Sequence, residues 1–404
     1  MRIMFAVPSY WPSQDGVACI TKYLAEGLAG RDHEVLIYTS AGNGGLQILP
    51  EHEEHERVSI ERTRVYVRWP LKLKGRDDKS TPAKYYERVC SFKPDVLIVI
   101  CAQTWTLDWI IPYLDEIKCV KVFYSHGYSQ LSKKDHVWEP LKRRNLPGVY
   151  ENWKIKRYYQ KLYRTLRKFD LAVYLSELNN SYLYSEEHKL TNGKILENAV
   201  EDVFLSEDIK HSAESFLRPD IQFLYVANYN DNKNQDMLLE AFCKAKIENA
   251  TLQMAGFEEN DYLEMMRSHL AQWMPEDSEK NVVFNVHLTR EQICELYKTS
   301  DVFVCTSKSE NCPIVHCEAA ASGMAVISTN VGDVSLKDGI ILVDDKEQLQ
   351  QAMERLYHDR QELIERGRRL RAYMMGRKCR IEDKVDWLEE ELMRLCRERQ
   401  NGNY

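Results

Sequence analysis

The chain has 404 residues, of which 44% are hydrophobic and 29% charged, with a formal net charge of −7, so two or three domains are favoured and a global nucleic-acid-binding surface is excluded. It contains no run of about 18 apolar residues such as a membrane-spanning helix needs, and its start, MRIMFAVPSYWP, lacks the apolar stretch of an export signal. Its eleven cysteines show no framework spacing, which suits reduced thiols, and a cytoplasmic globular protein is expected.

The first half of the chain alternates short apolar runs with amphipathic segments. Strands are predicted at 2–10, 33–40, 58–69, 94–102 and 120–126, further apolar runs stand at 170–177 and 193–201, and helices are predicted at 18–31, 82–92 and 106–117. Strands that alternate with helices indicate parallel βαβ units. The pattern fails between 128 and 152, where a loop-rich insertion is expected.

Residues 153–169, WKIKRYYQKLYRTLRKF, predict one helix with a basic face and an aromatic or apolar face. Residues 141–169 hold ten Lys or Arg against one acid, Glu151, a local charge of about +9 in an acidic chain. Two interpretations stay open. The helix is either packed with its basic face in solvent, or it makes a peripheral contact with an anionic membrane surface.

A second α/β series follows residues 202–219, which carry few apolar repeats and are expected to link two domains. Its strands are predicted at 221–229, 250–256, 281–286, 301–307, 324–329 and 339–344, and its helices at 235–245, 259–272, 290–300 and 313–322, before a long C-terminal helix at 383–400. Two consecutive series of similar length predict two Rossmann-like lobes with a cleft between them, which suits a nucleotide-containing ligand.

Two glutamates stand in the stretch SENCPIVHCEAAASGMAVIST, which predicts loop, helix and strand in turn. Pro313 suits a first helical turn, and Gly323 suits the position just past the helix end. Glu310 therefore falls in the loop after a strand and Glu318 in the helix that follows. In a parallel sheet this is the carboxyl edge, where helix N–H groups attract phosphate.

Other nucleotide and metal signatures are absent from the sequence. The first turn, PSYWPSQDGV, contains one glycine, Gly16, where a dinucleotide site needs G-x-G-x-x-G, and there is no Walker A loop. A D-x-D motif is also missing, which weakens metal-bridged diphosphate chemistry. The spacing of Cys305, Cys312, His316 and Cys317 fits no zinc pattern, so no metal is expected.

In order and spacing, the motifs resemble the retaining glycosyltransferases of family 4, over nearly the whole chain. The Glu-x7-Glu signature of that family stands here as ENCPIV and CEAAASGMAV, accompanied by SDVFVCTSKSE, FDLAVYLSE, KILENAVE, YSHG and QDGVACITKYLAEGLAGRDHEVLIYTS. The resemblance implies an α/β GT-B fold, two Rossmann-like lobes facing a central cleft. Residues 1–201 would bind the acceptor, 202–219 would be the linker and 220–380 would bind the nucleotide sugar, with helix 383–400 packing back on the first lobe.

The resemblance also implies roles for single residues. The catalytic candidates are Glu310, bonding the hydroxyls of the donor sugar, His126, bonding the sugar from the other lobe, and Lys233, neutralising the diphosphate. Glu318 would accept hydrogen bonds from the ribose, and Gly16 would let the backbone approach the diphosphate. The remaining donor-binding candidates are Asn228, Asn311, Cys312, Pro313, Ile314 and Val315, and Asn198 is a further residue expected to line the cleft.

The implied activity is retaining, metal-independent sugar transfer from a UDP or GDP type donor, without a cofactor, to a glycan or lipid-linked acceptor. Polysaccharide or glycoconjugate biosynthesis is the expected process, in the cytoplasm or peripherally on the inner face of the membrane through 153–169, with no nucleic-acid partner. Two alternatives stay open, a GT-B nucleotide-sugar epimerase and a non-catalytic GT-B partner subunit.

Two departures from the family pattern favour the second alternative. Asn228, in ANYNDNKN, stands where the family has an arginine, and an amide does not replace a bidentate guanidinium at equal strength. Asp15 and Gly16 replace a Gly-Gly pair, and an aspartate beside a diphosphate is unfavourable unless it turns away. Ordinary structural roles also stay open for three of the candidate residues. His126 could be a core histidine, Lys233 a solvated loop lysine and Glu318 a helix-surface residue.

Overall fold

The structure, a computed structural model, describes residues 1–13, 15–42, 49–68, 72–75, 81–128, 130–206, 220–334 and 337–402. It divides into two compact units, called here the first lobe (Met1–Glu197 with Ile381–Tyr404) and the second lobe (Asn198–Arg380). Among the described residues, no helix has both the length and the apolar character to cross a bilayer.

The bounds of the strands and helices in the described residues are as follows. The strands are β1 (Arg2–Ala6), β2 (Glu34–Ser40), β3 (His52–His55), β4 (Val58–Thr63), β5 (Val65–Arg68), β6 (Lys72–Gly75), β7 (Val96–Ile100), β8 (Val120–Tyr124), β9 (Leu171–Tyr174), β10 (Gly193–Ile195), β11 (Ile221–Val226), β12 (Ala250–Ala255), β13 (Lys280–Asn285), β14 (Val302–Cys305), β15 (Ala325–Thr329) and β16 (Ile341–Val343). The helices are α1 (Gly16–Ala29), α2 (Pro82–Phe92), α3 (Trp105–Asp108), α4 (Leu146–Leu166), α5 (Asn180–Glu187), α6 (Gln235–Lys244), α7 (Asp261–Trp273), α8 (Arg290–Thr299), α9 (Ile314–Ala321), α10 (Lys346–His358), α11 (Arg360–Gly376) and α12 (Ile381–Gln400).

The first lobe is built on a sheet with the strand order β10-β9-β8-β7-β1-β2-β4-β3. Its strand pairs are parallel, except that the edge strand β3 runs antiparallel to β4. The central strand β7 is the apolar run VLIVI and is buried along its whole length, as expected for a parallel strand with both faces covered. Helix α12 packs on α1, where the Arg31 guanidinium donates a 2.6 Å hydrogen bond to Glu389.

The second lobe is a parallel sheet with the order β13-β12-β11-β14-β15-β16. From β11 the chain adds β12 and β13 on one side, then crosses back to β14 and adds β15 and β16 on the other. The strand order therefore reverses between β11 and β14, and ligands of doubly wound sheets bind at the carboxyl ends of the strands at such a point. Both lobes confirm the predicted α/β class with parallel sheets.

Several details of the first lobe differ from the sequence prediction. The helix predicted at 106–117 is a short α3 followed by a 3-10 turn at Ile111–Tyr113, because Pro112 lacks the N–H that a continuous helix needs. Helix α4 begins at Leu146 instead of residue 153, since Asn145 caps it by accepting a 3.0 Å hydrogen bond from the N–H of Gly148. The insertion before it contains two further 3-10 turns, and α5 was not predicted.

The boundary between the lobes also differs from the prediction. The first lobe ends at Glu197, and a 3-10 turn at Asp202–Leu205, within the predicted linker, belongs to the second lobe. Phe204 and Leu205 are buried in the core of that lobe, which explains the difference. Residues 207–219 of the predicted linker lie outside the described residues. Helices α10 and α11 follow the last strand and were not predicted.

Helix α11 fixes the end of α9 through a close contact at Gly367. A Cβ added there would lie 1.9 Å from the carbonyl oxygen of Gly323, the left-handed residue (φ +74°) just after α9. Only a glycine lets the two backbones approach this closely. The contact holds the helix that carries Glu318.

We expect the change Gly367→Ala to lower the free energy of unfolding by about 1–3 kcal/mol, because the new methyl group meets a backbone oxygen that cannot turn away. The change Gly376→Ala is the matched control, since it lies on the same helix with no atom within 4 Å of the added Cβ. It should be neutral or stabilising by up to about 1 kcal/mol. Urea unfolding measures both variants, and equal stabilities would contradict the contact.

Candidate functional site

Two loops of the second lobe are joined by hydrogen bonds at the carboxyl edge of its sheet. One follows β11 (227–234) and the other follows β14 (306–313). The N–H of Lys308 donates to the carbonyl of Asn232 at 2.7 Å, and the Asn232 amide donates to the carbonyl of Ser309 at 3.1 Å. The hydroxyl of Thr306 donates to the carbonyl of Asn234 at 2.8 Å. The loops on either side of the strand-order reversal thus form one unit.

An ion pair between Lys233 and Glu310 links the same two loops. The ammonium of Lys233 donates to Oε1 of Glu310, and the side chains are 26% and 15% exposed. The backbone of Lys233 is fixed from below by the Tyr225 hydroxyl, which donates to its carbonyl at 2.9 Å and lies 2.8 Å from Ser307 Oγ. Two of the three predicted catalytic residues are therefore in contact.

The loop before α9 is held in place by packing and by one amide. The Asn198 side chain donates to the carbonyl of Cys312 at 2.7 Å. A Cβ at Gly332 (φ +61°) would lie 2.5 Å from the carbonyl oxygen of Asn311. The turn that contains Gly332 therefore packs closely against the loop. Pro313 precedes the helix, and among the described residues no side chain caps the first turn. The N–H groups at the start of α9 are donors of the kind that attract phosphate.

Glu318 lies inside α9 and is buried, so it is not a helix-surface residue. Its carboxylate accepts a hydrogen bond from Nη2 of Arg290, whose Nε donates to Glu201 at 2.7 Å. The guanidinium also lies 4.9 Å from the ring centre of Phe204. Arg290 was not predicted as a site residue. A signal was present, because Arg290 opens α8, where the helix dipole disfavours a cation unless carboxylates compensate.

Asn228 is solvent-exposed just beyond β11. Its carbonyl accepts hydrogen bonds from the side chains of Gln235 at 3.0 Å and Asn230 at 3.3 Å. An exposed amide therefore stands where the family has an arginine, in the same loop as Lys233.

The cysteines and histidine near the signature make contacts within a buried polar cluster under the loop. Cys312 Sγ donates to Asp333 at 3.3 Å, and Lys337 donates to the same carboxylate oxygen at 2.6 Å. His316 Nε2 lies 3.0 Å from Ser328 Oγ. In the part of the chain that the structure describes, no group of three or more His, Cys, Asp or Glu side chains is placed to hold a metal ion.

The remaining predicted residues, Gly16 and His126, belong to the first lobe. Asp15 caps α1: its Oδ1 accepts from the N–H groups of Val17 and Ala18, both at 3.0 Å. Its other oxygen accepts from Ser9 at 2.6 Å and Ser13 at 2.7 Å, so the carboxylate is turned onto the helix that Gly16 opens.

His126 follows β8, with its ring 4.7 Å from that of Tyr124. Burial lowers the pKa of His126 to about 4, against the opposing charge of Asp15. Its imidazole is therefore neutral at neutral pH. This environment leaves one buried ring nitrogen, Nε2, without a hydrogen-bond partner among the described atoms.

Comparison with known proteins places these features in context. Residues 220–359 match the family described as Glycosyl transferases group 1. An uncharacterised glycosyltransferase of Methanocaldococcus jannaschii is 25% identical over 357 residues, which cover 82% of this chain and 81% of that protein. Sucrose-phosphate synthase from Thermosynechococcus elongatus has a TM-score of 0.73 at 16% identity, covering 98% of this chain and 99% of that one. The Anabaena protein HepE, in complex with UDP and glucose, has a TM-score of 0.68 at 14% identity, covering 97% and 99%.

The fold is GT-B. The structural likenesses establish this fold, and the sequence match over residues 220–359 covers most of the second lobe. The predicted fold class is confirmed, and residues 220–359 are similar to the group 1 glycosyl transferases.

We expect the free energy of unfolding to decrease as the pH falls below about 6.5, because His316 is buried as a neutral group. Burial lowers its pKa to about 3 in the folded chain, whereas an unfolded histidine titrates near about 6.5. Between these two pH values the unfolded chain binds a proton that the folded chain does not. Each pH unit of acidification therefore lowers the free energy of unfolding by about 1.4 kcal/mol through His316.

Urea unfolding at pH 6.5, 5.5 and 4.5 measures this slope. His316→Gln should reduce it, since the amide keeps a polar group near Ser328 but cannot be protonated. His136→Gln is the control, because the side chain of His136 is 64% exposed. A slope that is the same in all three proteins would contradict the buried, neutral state of His316.

Proposed function

We propose that this chain is a retaining, metal-independent glycosyltransferase. It would move a sugar from a nucleoside-diphosphate sugar of UDP or GDP type to a glycan or lipid-linked acceptor, in polysaccharide or glycoconjugate biosynthesis. The observation that carries the proposal is the Lys233–Glu310 pair at the point where the strand order of the second lobe reverses. The group 1 match covers this region, and the fold relative HepE was crystallised with UDP and glucose.

The ion pair suggests how a donor is recognised. Lys233 and Glu310 satisfy each other in the free chain. A diphosphate offers Lys233 a second anion, and the sugar hydroxyls offer Glu310 neutral donors in place of the ammonium. A nucleoside-diphosphate sugar replaces both halves of the pair, whereas a diphosphate without a sugar leaves Glu310 without a donor. This exchange favours the intact donor over the product that remains after transfer.

The same arrangement suits the charge that develops during transfer. As the bond between the anomeric carbon and the diphosphate breaks, negative charge grows on the leaving phosphate. The Lys233 ammonium and the uncapped N–H groups at the start of α9 are fixed donors of the kind that stabilise such charge. In front-face displacement the leaving phosphate takes the proton of the acceptor, so Glu310 need not attack the sugar.

Glu318 is assigned to the nucleoside part of the donor. Its carboxylate is buried and already bonded to Arg290, so it is held in one orientation. A carboxylate has two oxygens and accepts several hydrogen bonds, which lets it bind a ribose diol while it keeps Arg290. Arg290 is then a positioning residue that acts through Glu318.

The second candidate function is a non-catalytic partner subunit with the same fold. The exposed Asn228, in the position of the family arginine, is the observation that favours it, because one cation on the diphosphate is missing. Nucleotide binding separates the two candidates. An active enzyme must bind a donor nucleotide, whereas a structural partner need not.

Thermal shift with UDP, GDP, ADP, their sugars and inorganic pyrophosphate tests the diphosphate site. A ligand at a hundred times its dissociation constant stabilises by about 2.7 kcal/mol. We expect Lys233→Met to remove the response to nucleotides and to pyrophosphate and to abolish transfer, because it removes the cation on the diphosphate. Lys308→Met is the matched control, since Lys308 lies on the second loop and pairs with Asp231 at 2.7 Å. No response from the unaltered chain to any nucleotide would favour the partner subunit.

A different pattern is expected for Glu318→Gln. The neutral amide keeps the shape of the side chain but weakens its hydrogen bonds to the ribose, so nucleotide affinity should fall by about tenfold or more. The response to pyrophosphate should be unchanged, because pyrophosphate has no ribose. Glu201→Gln, which alters the other carboxylate on Arg290, is the control. Equal loss of pyrophosphate binding in Glu318→Gln would contradict the ribose assignment.

A further inference from the structure

Large apolar side chains are concentrated on one short segment of the first lobe. Among the described residues, twelve large hydrophobic side chains are exposed, and five of them fall within residues 138–153. They are Trp138, Leu141, Leu146, Tyr150 and Trp153, with Leu146 at 69% and Trp138 at 68% exposure. Single exposed apolar residues are ordinary, but five within sixteen residues, with the rings of Tyr150 and Trp153 stacked 6.1 Å apart, indicate a binding surface.

Helix α4 turns three of these side chains away from the core. Its buried residues are Ile155, Tyr159, Leu162 and Leu166, which form one stripe of the helix. Leu146, Tyr150 and Trp153 are spaced four and three residues apart and form a stripe on the opposite side. The helix therefore has two apolar faces in its first half, and only one of them packs on the lobe.

Six exposed basic side chains lie in the same segment of the chain. Lys142, Arg143, Arg144, Lys154, Lys156 and Arg157 are all exposed. The Lys154 ammonium lies 4.1 Å from the ring centre of Tyr150, and the Arg157 guanidinium lies 4.8 Å from that of Trp153. These eleven residues, five apolar and six basic, are called the aromatic-basic patch.

Few acids neutralise this charge. Of the ten basic residues at 141–169, only Lys168 pairs with a carboxylate in the part of the chain that the structure describes, and its partner is Asp115. Oε2 of Glu139, next to Trp138, lies 3.7 Å from Nδ1 of His136. Glu151 is half-buried. The charge of the patch is therefore available to an external anion.

We infer that the aromatic-basic patch docks on the surface of an anionic lipid bilayer. Tryptophan and tyrosine favour the interface between headgroups and acyl chains, and lysine and arginine attract anionic headgroups. The exposed leucines distinguish this partner from a nucleic acid, because Leu141 and Leu146 offer no ring on which a base stacks. The surface lies earlier in the chain than the predicted contact at 153–169, since it includes the turn before α4.

The inference deepens the proposed function and in one respect rests on it. A chain docked in this way meets acceptors that are anchored in the bilayer, so a lipid-linked acceptor follows if the proposed transfer is correct. The docking itself depends on the patch alone. The two ideas can therefore fail separately.

Vesicle flotation of the full chain tests the docking. Vesicles of phosphatidylcholine with about one third phosphatidylglycerol should bind the chain, vesicles of phosphatidylcholine alone should bind it weakly, and raised salt should weaken binding. The change Lys154→Glu with Arg157→Glu should raise the lipid concentration for half-binding by about tenfold or more. The control, Arg368→Glu with Arg369→Glu, makes the same change in net charge at exposed positions of the second lobe.

The apolar contribution is tested separately with brominated acyl chains, which quench tryptophan that enters the bilayer. Quenching should occur in the unaltered chain and be lost in Trp138→Phe with Trp153→Phe. The triple change Trp138→Ala, Leu146→Ala and Trp153→Ala should weaken flotation. The matched control is Phe257→Ala, Met265→Ala and Met393→Ala, which removes three other exposed apolar side chains.

Each outcome of these measurements has a defined meaning. Flotation that survives both sets of changes would overturn the docking. Competition by single-stranded RNA, together with an absence of quenching, would also overturn it and would assign the patch to nucleic acid. Thermal shift with nucleotides is measured on the same proteins and should be unaltered by the patch variants. Vesicle binding without any nucleotide response would overturn the proposed transfer and leave the docking intact.

Discussion

The ion pair between Lys233 and Glu310 joins the two loops on which the candidate site of the second lobe depends. Its groups are partly buried, so each is costly to leave without a partner, although the pair itself contributes little net stability. A ligand that offered only an anion would leave Glu310 without a partner, and one that offered only hydroxyls would leave Lys233 without one. The chemistry of the site is therefore defined by what replaces both members together.

The framework around this pair is closely packed, and small residues and hydroxyl groups build it. Ala319, Ala320 and Ala321 are fully buried, so α9 lies close against its neighbours with little freedom to rotate. Below the pair, Tyr225 holds the carbonyl of Lys233. Together these contacts position a cation, two carboxylates and a helix start without help from a ligand, which reduces the reorganisation that binding requires.

Local sequence signals predicted the framework of the second lobe well. Alternating apolar runs located the strands that flank the site, and Pro313 and Gly323 bracketed the helix that contains Glu318. These features depend on neighbours in the chain, and short-range physics fixes them. Lys233 and Glu310 were both predicted as site residues, but their contact follows from the strand order, which brings together positions 77 residues apart.

The features that were missed depend on long-range contacts or on single residues that override a pattern. The position of Arg290 at the start of α8 indicates that carboxylates lie near it, but the sequence does not identify Glu201, which lies 89 residues earlier in the chain. The predicted linker was polar on average, but Phe204 anchors its first part in a core that forms only after folding. In the first lobe, Pro112 divided a segment that otherwise had a helical pattern.

Asp15 has a consequence for small anions at the start of α1. Its carboxylate already accepts from two N–H groups of the first turn and from two serine hydroxyls. A tethered anion has an effective concentration that a free ion at cellular concentrations does not reach. Asp15 thus competes with inorganic phosphate and similar ions for these two N–H groups.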